Sequence, residues 1–221
     1  WIDINKGDEV NEELRSRLVA KEINKGKNEE FFAATPPLEG LKMLLSLAVT
    51  EGVGYEKGDR DNGMRIDVID IRRAYFQAAA RRDVYVNLPE EDWSHGMCGK
   101  LNKSMYGTRD AAHNWEEEYT KFMESYEFER GQSSPCLFYN AKRQLVIHGD
   151  DFTVLGRATD LDWFRKKISD KFVVKFKARL GPGEEDDKSA RVLNRVIEWT
   201  MQGINYEPDQ RHAELIVKAL G

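Results

Sequence analysis

The sequence predicts a mixed α/β fold in which an antiparallel or mixed sheet is backed by helices. Short apolar strands lie in pairs around tight turns, as over residues 144–155, and hairpins of this kind build antiparallel sheets. Between them lie longer segments whose apolar residues recur every three or four positions, which is typical of helices that cover a sheet face. With 221 residues, 40% of them hydrophobic and 33% charged, the chain is long enough for one large domain or two subdomains.

Four helices are predicted from apolar spacing and from start signals. Pro36 and Pro37 precede the first helix, and proline suits a first helical turn because it lacks a backbone N–H. Thr159 or Asp160 is predicted to cap the third helix, because a side-chain oxygen there can accept a backbone N–H. The predicted helices are Leu38–Glu51, Thr108–Tyr126, a segment ending at Lys171, and Pro208–Leu220.

Strands are predicted where apolar residues alternate with polar ones or run together between turn signals. A strand-like segment around Arg17–Lys21 stands alone in the otherwise polar residues 1–30. Gln202-Gly203 is predicted to turn a hairpin near the end of the chain. The other predicted strands are Ile66–Ile71, Val84–Leu88, Cys136–Tyr139, Gln144–His148, Phe152–Leu155, Phe172–Lys177, Val192–Thr200 and Ile204–Tyr206.

The composition restricts the binding partners and the cellular compartment that we expect for this chain. The net charge of −5 argues mildly against a general nucleic-acid binder. Basic runs are most simply solvated faces, and residues 165–179 are the best candidate for a nucleic-acid surface. Cys98 and Cys136 are too few for a disulfide framework, which favours a reducing compartment. No apolar stretch is as long as a membrane span, and the absence of an initial Met predicts a fragment of a longer chain.

The most informative residues are Asp150 and Asp151, which stand at a tight turn between two apolar strands. Adjacent carboxylates repel, and each is costly to bury without a partner. A divalent cation is the usual way to stabilise them, because hard cations prefer oxygen ligands. Asp70 ends another apolar strand and can converge on them if the strands are neighbours. Three carboxylates holding two metal ions are typical of phosphoryl or nucleotidyl transfer; the alternative is that these aspartates only form turns.

Three sequence blocks, taken in order, resemble the reverse transcriptase of copia-type long-terminal-repeat retrotransposons. The first, Asp70-Ile71-Arg72-Arg73-Ala74-Tyr75, has the family's Asp, aliphatic residue, Ala and aromatic residue. The second, Ser104–Trp115, is similar to the block Ser-Leu-Tyr-Gly-Leu-Lys-Gln-Ala-Pro-Arg-Ala-Trp. The third, His148-Gly149-Asp150-Asp151, stands where the family has Tyr-Val-Asp-Asp. Flanking segments such as Ser16–Lys21 and Val192–Arg195 agree as well, so the resemblance spans nearly the whole chain.

The resemblance implies the core of a right-hand polymerase with RNA-directed DNA polymerase activity. Its palm would be an antiparallel sheet backed by helices. Residues 1–65 would be mainly fingers and residues 66–221 mainly palm with some fingers insertion, and the thumb and RNase H would be absent or truncated. The implied partners are an RNA or DNA template with its primer, deoxynucleoside triphosphates, and other parts of the Pol polyprotein such as integrase and RNase H, with no membrane. The implied location is intracellular, in a cytoplasmic virus-like particle or the nucleus.

The resemblance also implies a role for particular residues. Asp70 and Asp150 would ligate two Mg²⁺ ions, or Mn²⁺, with Asp151 supporting the site and the carbonyl of Ile71 adding a ligand. Tyr75 would lie under the incoming sugar and exclude a 2′-hydroxyl, with a core aromatic as the alternative. The remaining nucleotide or template contacts would be Gly107, Arg109, Arg17, Lys21 and Lys175. Lys175, or alternatively Lys177, would donate a proton to the pyrophosphate.

Departures from the family leave two other functions open. His148 and Gly149 replace the usual Tyr and Val, and the second block carries Thr108, Arg109 and Asp110 in place of Leu, Lys and Gln. These changes allow a catalytically silent nucleic-acid-binding module derived from such an element. A different two-metal enzyme, such as a nuclease, would use the same carboxylates but would not need Tyr75 as a sugar gate.

Overall fold

The computed structural model describes residues 1–5, 11–23, 26, 31–208 and 210–220. The chain divides into two compact units: the first unit comprises Trp1–Ala34 and Arg73–Phe122, and the second comprises Thr35–Arg72 and Met123–Gly221. Gly221, which the sequence places at the end of the closing segment, lies outside the described residues.

Strands and helices are numbered in chain order. The strands are β1 (Ile2–Asn5), β2 (Leu14–Arg17), β3 (Arg65–Ile71), β4 (Tyr85–Val86), β5 (Gly99–Lys100), β6 (Glu129–Arg130), β7 (Leu137–Tyr139), β8 (Arg143–His148), β9 (Asp151–Gly156), β10 (Val174–Leu180), β11 (Ser189–Val192), β12 (Arg195–Trp199) and β13 (Ile204–Pro208). The helices are α1 (Leu38–Ala48), α2 (Ala74–Gln77), α3 (Ala111–Glu124), α4 (Ala158–Lys171) and α5 (Gln210–Leu220). The mixed α/β fold with antiparallel sheets is as the sequence predicts.

The second unit is built on a six-stranded antiparallel sheet in the order β10-β3-β9-β8-β7-β6. Most residues of its strands β3, β8 and β9 are buried. Strands β8 and β9 form a hairpin in which His148 lies opposite Asp151. The two turn residues are Gly149 and Asp150, and Gly149 has a φ of 61°, which glycine adopts without strain. The fold therefore places the two aspartates at one end of the central strands.

Helix α1 packs its predicted apolar stripe into the core of the second unit. Leu41, Leu44 and Leu45 are buried in one cluster with Ile66 of β3 and Leu155 of β9. The same cluster extends to the apolar side chains of β12. The spacing that predicts the helix therefore also identifies the face that it buries.

Helix α4 contributes a second group of buried side chains to this unit. Leu161, Phe164 and Ile168 are its buried residues, and they recur at the three- to four-residue spacing of one helix face. The ring of Phe164 lies 6.0 Å from that of Phe128, edge to face. Burial of apolar side chains such as these is the main stabilising contribution to the unit.

A three-stranded antiparallel sheet, β11-β12-β13, follows the six-stranded one in the chain. The sequence predicted one strand over Val192–Thr200, and this was wrong. Leu193 and Asn194 have φ values of 48° and 59°, so they form a tight turn that separates β11 from β12. The predicted turn at Gln202-Gly203 is confirmed as the connection between β12 and β13.

The first unit contains two small antiparallel sheets, β1-β2 and β4-β5, together with α2 and most of α3. Its buried residues include Met105, Ala111, Trp115 and Tyr119. The rings of Trp115 and Tyr119 lie 5.6 Å apart, edge to face. The helical stripe predicted from the sequence is therefore a core stripe in this unit.

Several predicted boundaries were displaced. The strand near Arg17 covers Leu14–Arg17 and ends where the prediction began. Helix α4 begins at Ala158 after Arg157, with no side-chain cap, so capping by Thr159 or Asp160 was wrong. Pro208 ends β13 and does not start the last helix, because its fixed φ is also compatible with the end of a strand.

Candidate active site

Asp70 and Asp151 lie side by side in the sheet of the second unit. They are register partners on the paired strands β3 and β9, and directly opposed residues of an antiparallel pair project on the same face. The backbone N–H of Ile71 donates to the carbonyl of Asp150 at 2.8 Å, which ties the turn to the end of β3. The structure therefore brings together the three aspartates that the sequence selected from separate segments.

A lysine ammonium stands between two of these carboxylates. Lys177 Nζ lies 2.9 Å from Asp70 Oδ1 and 2.6 Å from Asp151 Oδ1. Lys177 is the extra residue of a β-bulge, since the pairing of β10 with β3 shifts between Phe176 and Ala178. A bulge re-aims side chains locally, and here it accompanies the contact of Lys177 with both acids.

Lys175, which the sequence predicted at the site, is the register partner of Asp70 and is exposed. The cation that contacts the carboxylates is two residues further along β10, at Lys177. The sequence offered both Lys175 and Lys177 as candidates. The two-residue periodicity of a strand cannot tell which of them contacts the acids, because residues two apart lie on the same face.

The electrostatics of the cluster show an excess of negative charge. Although Asp150 is exposed by surface area, partial loss of water contact raises the pKa of its carboxyl, and the charges of Asp151 and Asp70 raise it further. Lys177 acts in the opposite direction on this carboxyl. Burial alone would lower the pKa of Lys177, but its hydrogen bonds to Asp151 and Asp70 raise it.

The donor chemistry of this cluster fits a divalent metal ion. Three carboxylates supply the hard oxygen ligands that Mg²⁺ prefers, and the ammonium of Lys177 is a cation already held between two of them. Among the described residues, no group of three or more His, Cys, Asp or Glu is arranged so that it could hold a metal ion.

Tyr75 belongs to the first unit, on the short helix α2. Its ring lies 4.4 Å from the ring of Tyr106, and Phe76 contacts the same ring edge to face at 5.5 Å. Arg73 precedes the helix with a φ of 53°, a left-handed conformation that is uncommon for a residue with a side chain. Tyr75 is half-buried, so its ring is positioned by neighbouring aromatics while part of it stays accessible.

Gly107 lies where two backbone segments of the first unit approach closely. The N–H of Ala20 donates to the carbonyl of Tyr106 at 2.7 Å, and the N–H of Glu22 donates to the carbonyl of Gly107 at 3.4 Å. A Cβ atom on Gly107 would lie 1.8 Å from the carbonyl oxygen of Ala20, and the φ of Gly107 is 92°. Glycine is therefore required at position 107 by the close approach of the backbone at Ala20. A contact of Gly107 with nucleotide stays a prediction.

Replacing Gly107 with alanine is therefore expected to destabilise the first unit. Gly96→Ala is the matched control, because Gly96 has a φ of 74° in the same unit but open space around its missing Cβ. Both variants carry the left-handed strain of about 1–2 kcal/mol, and Gly107→Ala adds about 1–3 kcal/mol for the clash. Urea unfolding measures the difference, and equal losses in the two variants would contradict the close approach.

An ion cluster that the sequence did not predict joins separate segments of the first unit. Arg82 Nη2 lies 2.6 Å from Glu22 Oε2 and 3.0 Å from Asp110 Oδ1. Asn114 Nδ2 donates to the buried Asp110 at 3.1 Å. Burial alone would raise the pKa of Asp110, but the hydrogen bonds from Arg82 and Asn114 lower it. In the sequence, the only sign of this ion cluster was Asp110, an acidic residue that stands in place of Gln in the second block.

This cluster gives an expected pH dependence. Because the pKa of Asp110 is lowered on folding, its contribution to stability is intact above the ordinary value of 3.8 and is lost as the pH falls through the folded value. We expect Arg82→Met to cost about 2 kcal/mol near neutral pH and to weaken this loss in acid. Arg81→Met is the control, since Arg81 pairs with Glu117, whose side chain is 35% exposed, whereas that of Asp110 is 6% exposed. Urea unfolding across acidic pH tests the expectation, and parallel pH curves for wild type and Arg82→Met would contradict it.

The other predicted phosphate contacts also lie in the first unit. Arg109 Nη2 donates to the carbonyl of Gly26 at 2.5 Å, and its backbone N–H donates to Glu22 at 2.8 Å. Arg17 is exposed at the end of β2, opposite Ile2. Lys21 is exposed and lines a cavity of about 900 Å³ within this unit. A role for these cations toward phosphate stays a prediction.

Two arginines of the basic stretch 165–179 take part in an ion cluster within the second unit, and a nucleic-acid surface on this stretch stays a prediction. Arg165 and Arg179 both donate to the fully buried carboxylate of Asp67, with Nε–oxygen distances of 2.7 and 2.8 Å. Arg179 also pairs with Asp162 at 2.7 Å. Two of the basic residues are thus engaged in an internal ion cluster on the second unit, which the linear sequence did not reveal.

Comparison with known proteins identifies the class. A family model described as reverse transcriptase (RNA-dependent DNA polymerase) matches residues 1–182. The chain therefore belongs to the reverse transcriptase family, and the resemblance to copia-type elements is confirmed by its relatives. Membership of this family implies RNA-directed DNA polymerase activity at the level of the family.

The relatives are polyproteins of transposons. The chain is 24% identical over 155 residues to the retrovirus-related Pol polyprotein from transposon TNT 1-94 of Nicotiana tabacum, covering 65% of this chain and 11% of that protein. It is 24% identical over 130 residues to the transposon Ty1-BL Gag-Pol polyprotein of Saccharomyces cerevisiae, covering 58% of this chain and 7% of that protein. The chain thus matches about a tenth of the length of these relatives. Within the described residues, no helix is long and apolar enough to span a membrane.

Proposed function

We propose that this chain is the polymerase core of a reverse transcriptase that adds deoxynucleotides to a primer 3′-hydroxyl on an RNA or DNA template. The observation that carries the proposal is the side-by-side placement of Asp70 and Asp151 on β3 and β9, next to Asp150 at the turn. A family match and three motifs in order support the same reaction. The wider Pol polyprotein, with integrase and RNase H, is the proposed setting, inside the cell in virus-like particles or the nucleus.

In this proposal Asp70 and Asp150 hold two Mg²⁺ ions, or Mn²⁺, Asp151 supports them, and the carbonyl of Ile71 is a further ligand. When bound, such ions supply a lowered pKa at the primer hydroxyl and charge neutralisation at the triphosphate. The protein contributes positioning: the register of β3 and β9 fixes Asp70 beside Asp151, and the hydrogen bond from Ile71 to Asp150 fixes the turn. Fixed geometry of this kind lowers the barrier because little reorganisation is left for the reaction.

The residues of the first unit have proposed roles in nucleotide and template binding. Tyr75, held against Tyr106, presents its accessible part to the sugar and excludes a 2′-hydroxyl. The cations that contact phosphate are Arg17, Lys21 and Arg109, and the guanidinium fork of arginine is well suited to this. Gly107 keeps the neighbouring backbone close to the template.

A lysine of the second unit has a proposed role at the leaving group. Lys175 or Lys177 carries a proton for the pyrophosphate in this proposal. Both lie on β10, which pairs with β3, the strand that carries Asp70.

The right-hand architecture is part of the same proposal. The six-stranded sheet that carries the aspartates is the palm, with α1 and α4 packed on it. The palm lies mainly within residues 66–221 and the fingers mainly within residues 1–65. The part of the first unit from Arg73 to Phe122 is the fingers insertion of the later segment.

Primer extension tests the proposal. A labelled DNA primer annealed to an RNA template is incubated with the protein, deoxynucleoside triphosphates and Mg²⁺, and extension is expected that stops on addition of EDTA. Template–primer binding without extension would favour the silent nucleic-acid-binding module. Metal-dependent cleavage of the nucleic acid without extension would favour a nuclease.

A further inference from the structure

We infer that Lys177 is an internal counter-ion that competes with metal for the carboxylates of Asp70 and Asp151. The inference rests on the proposed function, because it takes Asp70 to be a metal ligand and Asp151 to support the metal site. It goes beyond that function by assigning Lys177 a role in the metal-free protein, and it predicts that the wild-type chain binds metal more weakly than a chain without this ammonium.

The contacts of Lys177 carry the inference. Its Nζ lies within hydrogen-bond distance of one oxygen on each of two different aspartates. Asp70 and Asp151 are 27% and 25% exposed in their side chains, so the ammonium meets carboxylates that are only partly solvated. One cation thereby bridges two anions that would otherwise repel each other across β3 and β9.

A divalent ion would bind the same carboxylates. Mg²⁺ binds oxygen at about 2.0–2.1 Å with near-octahedral geometry, so an ion bound to Asp70 would lie within a few ångströms of the ammonium that contacts this carboxylate. The two cations also repel each other. Metal entry therefore favours movement of Lys177 Nζ away from these carboxylates, and the flexible stem of lysine, on a side chain that is 33% exposed, allows this movement.

The β-bulge explains why this lysine and not its neighbour contacts the acids. Lys175 is the regular register partner of Asp70, whereas Lys177 is the extra residue of the bulge and bridges both aspartates. The two lysines are alike in charge and length, so Lys175 provides a matched control on the same strand.

Direct Mn²⁺ binding to the full chain, measured by electron paramagnetic resonance and by calorimetry, tests the inference. We expect Lys177→Met to bind Mn²⁺ about tenfold more tightly than wild type, because a like charge within a few ångströms is removed. Lys177→Arg and Lys175→Met are expected to bind as wild type does. Without metal, Lys177→Met is expected to melt at a lower temperature than Lys175→Met, and added Mn²⁺ is expected to reverse this order.

The outcomes separate this inference from the proposed function. Saturable Mn²⁺ binding by wild type with equal or weaker binding by Lys177→Met would overturn the counter-ion role and leave the metal site standing. Absence of saturable binding by both proteins, each shown to be folded by circular dichroism, would overturn the metal site and the counter-ion role together. Tighter binding by Lys175→Met to the same extent as by Lys177→Met would also overturn the inference, since it would reflect net charge alone.

Discussion

Primer extension by the Asp150→Asn variant is expected to fall at least about 10²–10³-fold, as is typical when one preorganised electrostatic group is removed from an active site. The substitution keeps the size of the side chain and removes only its charge. Asp170→Asn on the exposed end of α4 is the control and is expected to extend primers at the wild-type rate. Initial rates at saturating template–primer, nucleotide and Mg²⁺ measure the effect.

The same Asp150 variant is expected to be at least as stable as wild type in the absence of metal. The pKa of Asp150 is raised on folding, so its favourable contribution is present below the unfolded value and is lost as the pH rises through the folded value. At neutral pH the wild-type protein therefore carries an unfavourable carboxylate that asparagine lacks. Thermal melts in EDTA at neutral and acidic pH check this expected stability. In the primer-extension assay, activity that persists in Asp150→Asn would contradict the assignment of Asp150 as a metal ligand.

The second large effect is expected at Asp67, which has no part in the proposed chemistry but is fully buried. Replacement by asparagine leaves the guanidinium groups of Arg165 and Arg179 without their shared anion. Removing one partner of a buried ion cluster typically costs about 3–5 kcal/mol. Urea unfolding of Asp67→Asn is expected to show a loss in this range.

Asp162→Asn is the control for Asp67. Asp162 also pairs with Arg179, but its side chain is 65% exposed, and exposed ion pairs contribute about 0–1 kcal/mol. A loss for Asp67→Asn no larger than that for Asp162→Asn would contradict a structural role for the cluster. Partial recovery of stability on combining Asp67→Asn with Arg165→Met would support it, because one unpaired charge is then removed.

Prediction from the sequence succeeded where a local pattern sets the structure. The stripe of Leu41, Leu44 and Leu45 predicted α1, because residues at this spacing share one helix face. The apolar runs on either side of Gly149-Asp150 predicted the β8-β9 hairpin. The predicted ends of strands and helices were wrong where they depend on contacts with distant residues or where a turn has no strong sequence signal. Leu193-Asn194 is an example, since its positive φ values form the turn that separates β11 from β12.

The candidate site shows the same division. The sequence alone was enough to select Asp70, Asp150 and Asp151, since adjacent carboxylates at the end of apolar strands have no packing reason to be there, and to indicate the family through three ordered blocks. Only the tertiary structure decided that Asp70 opposes Asp151 and that Lys177 bridges them. Strand order and the position of a β-bulge are set by pairing between segments that are distant in the sequence. The sequence of one strand does not identify the strand with which it pairs.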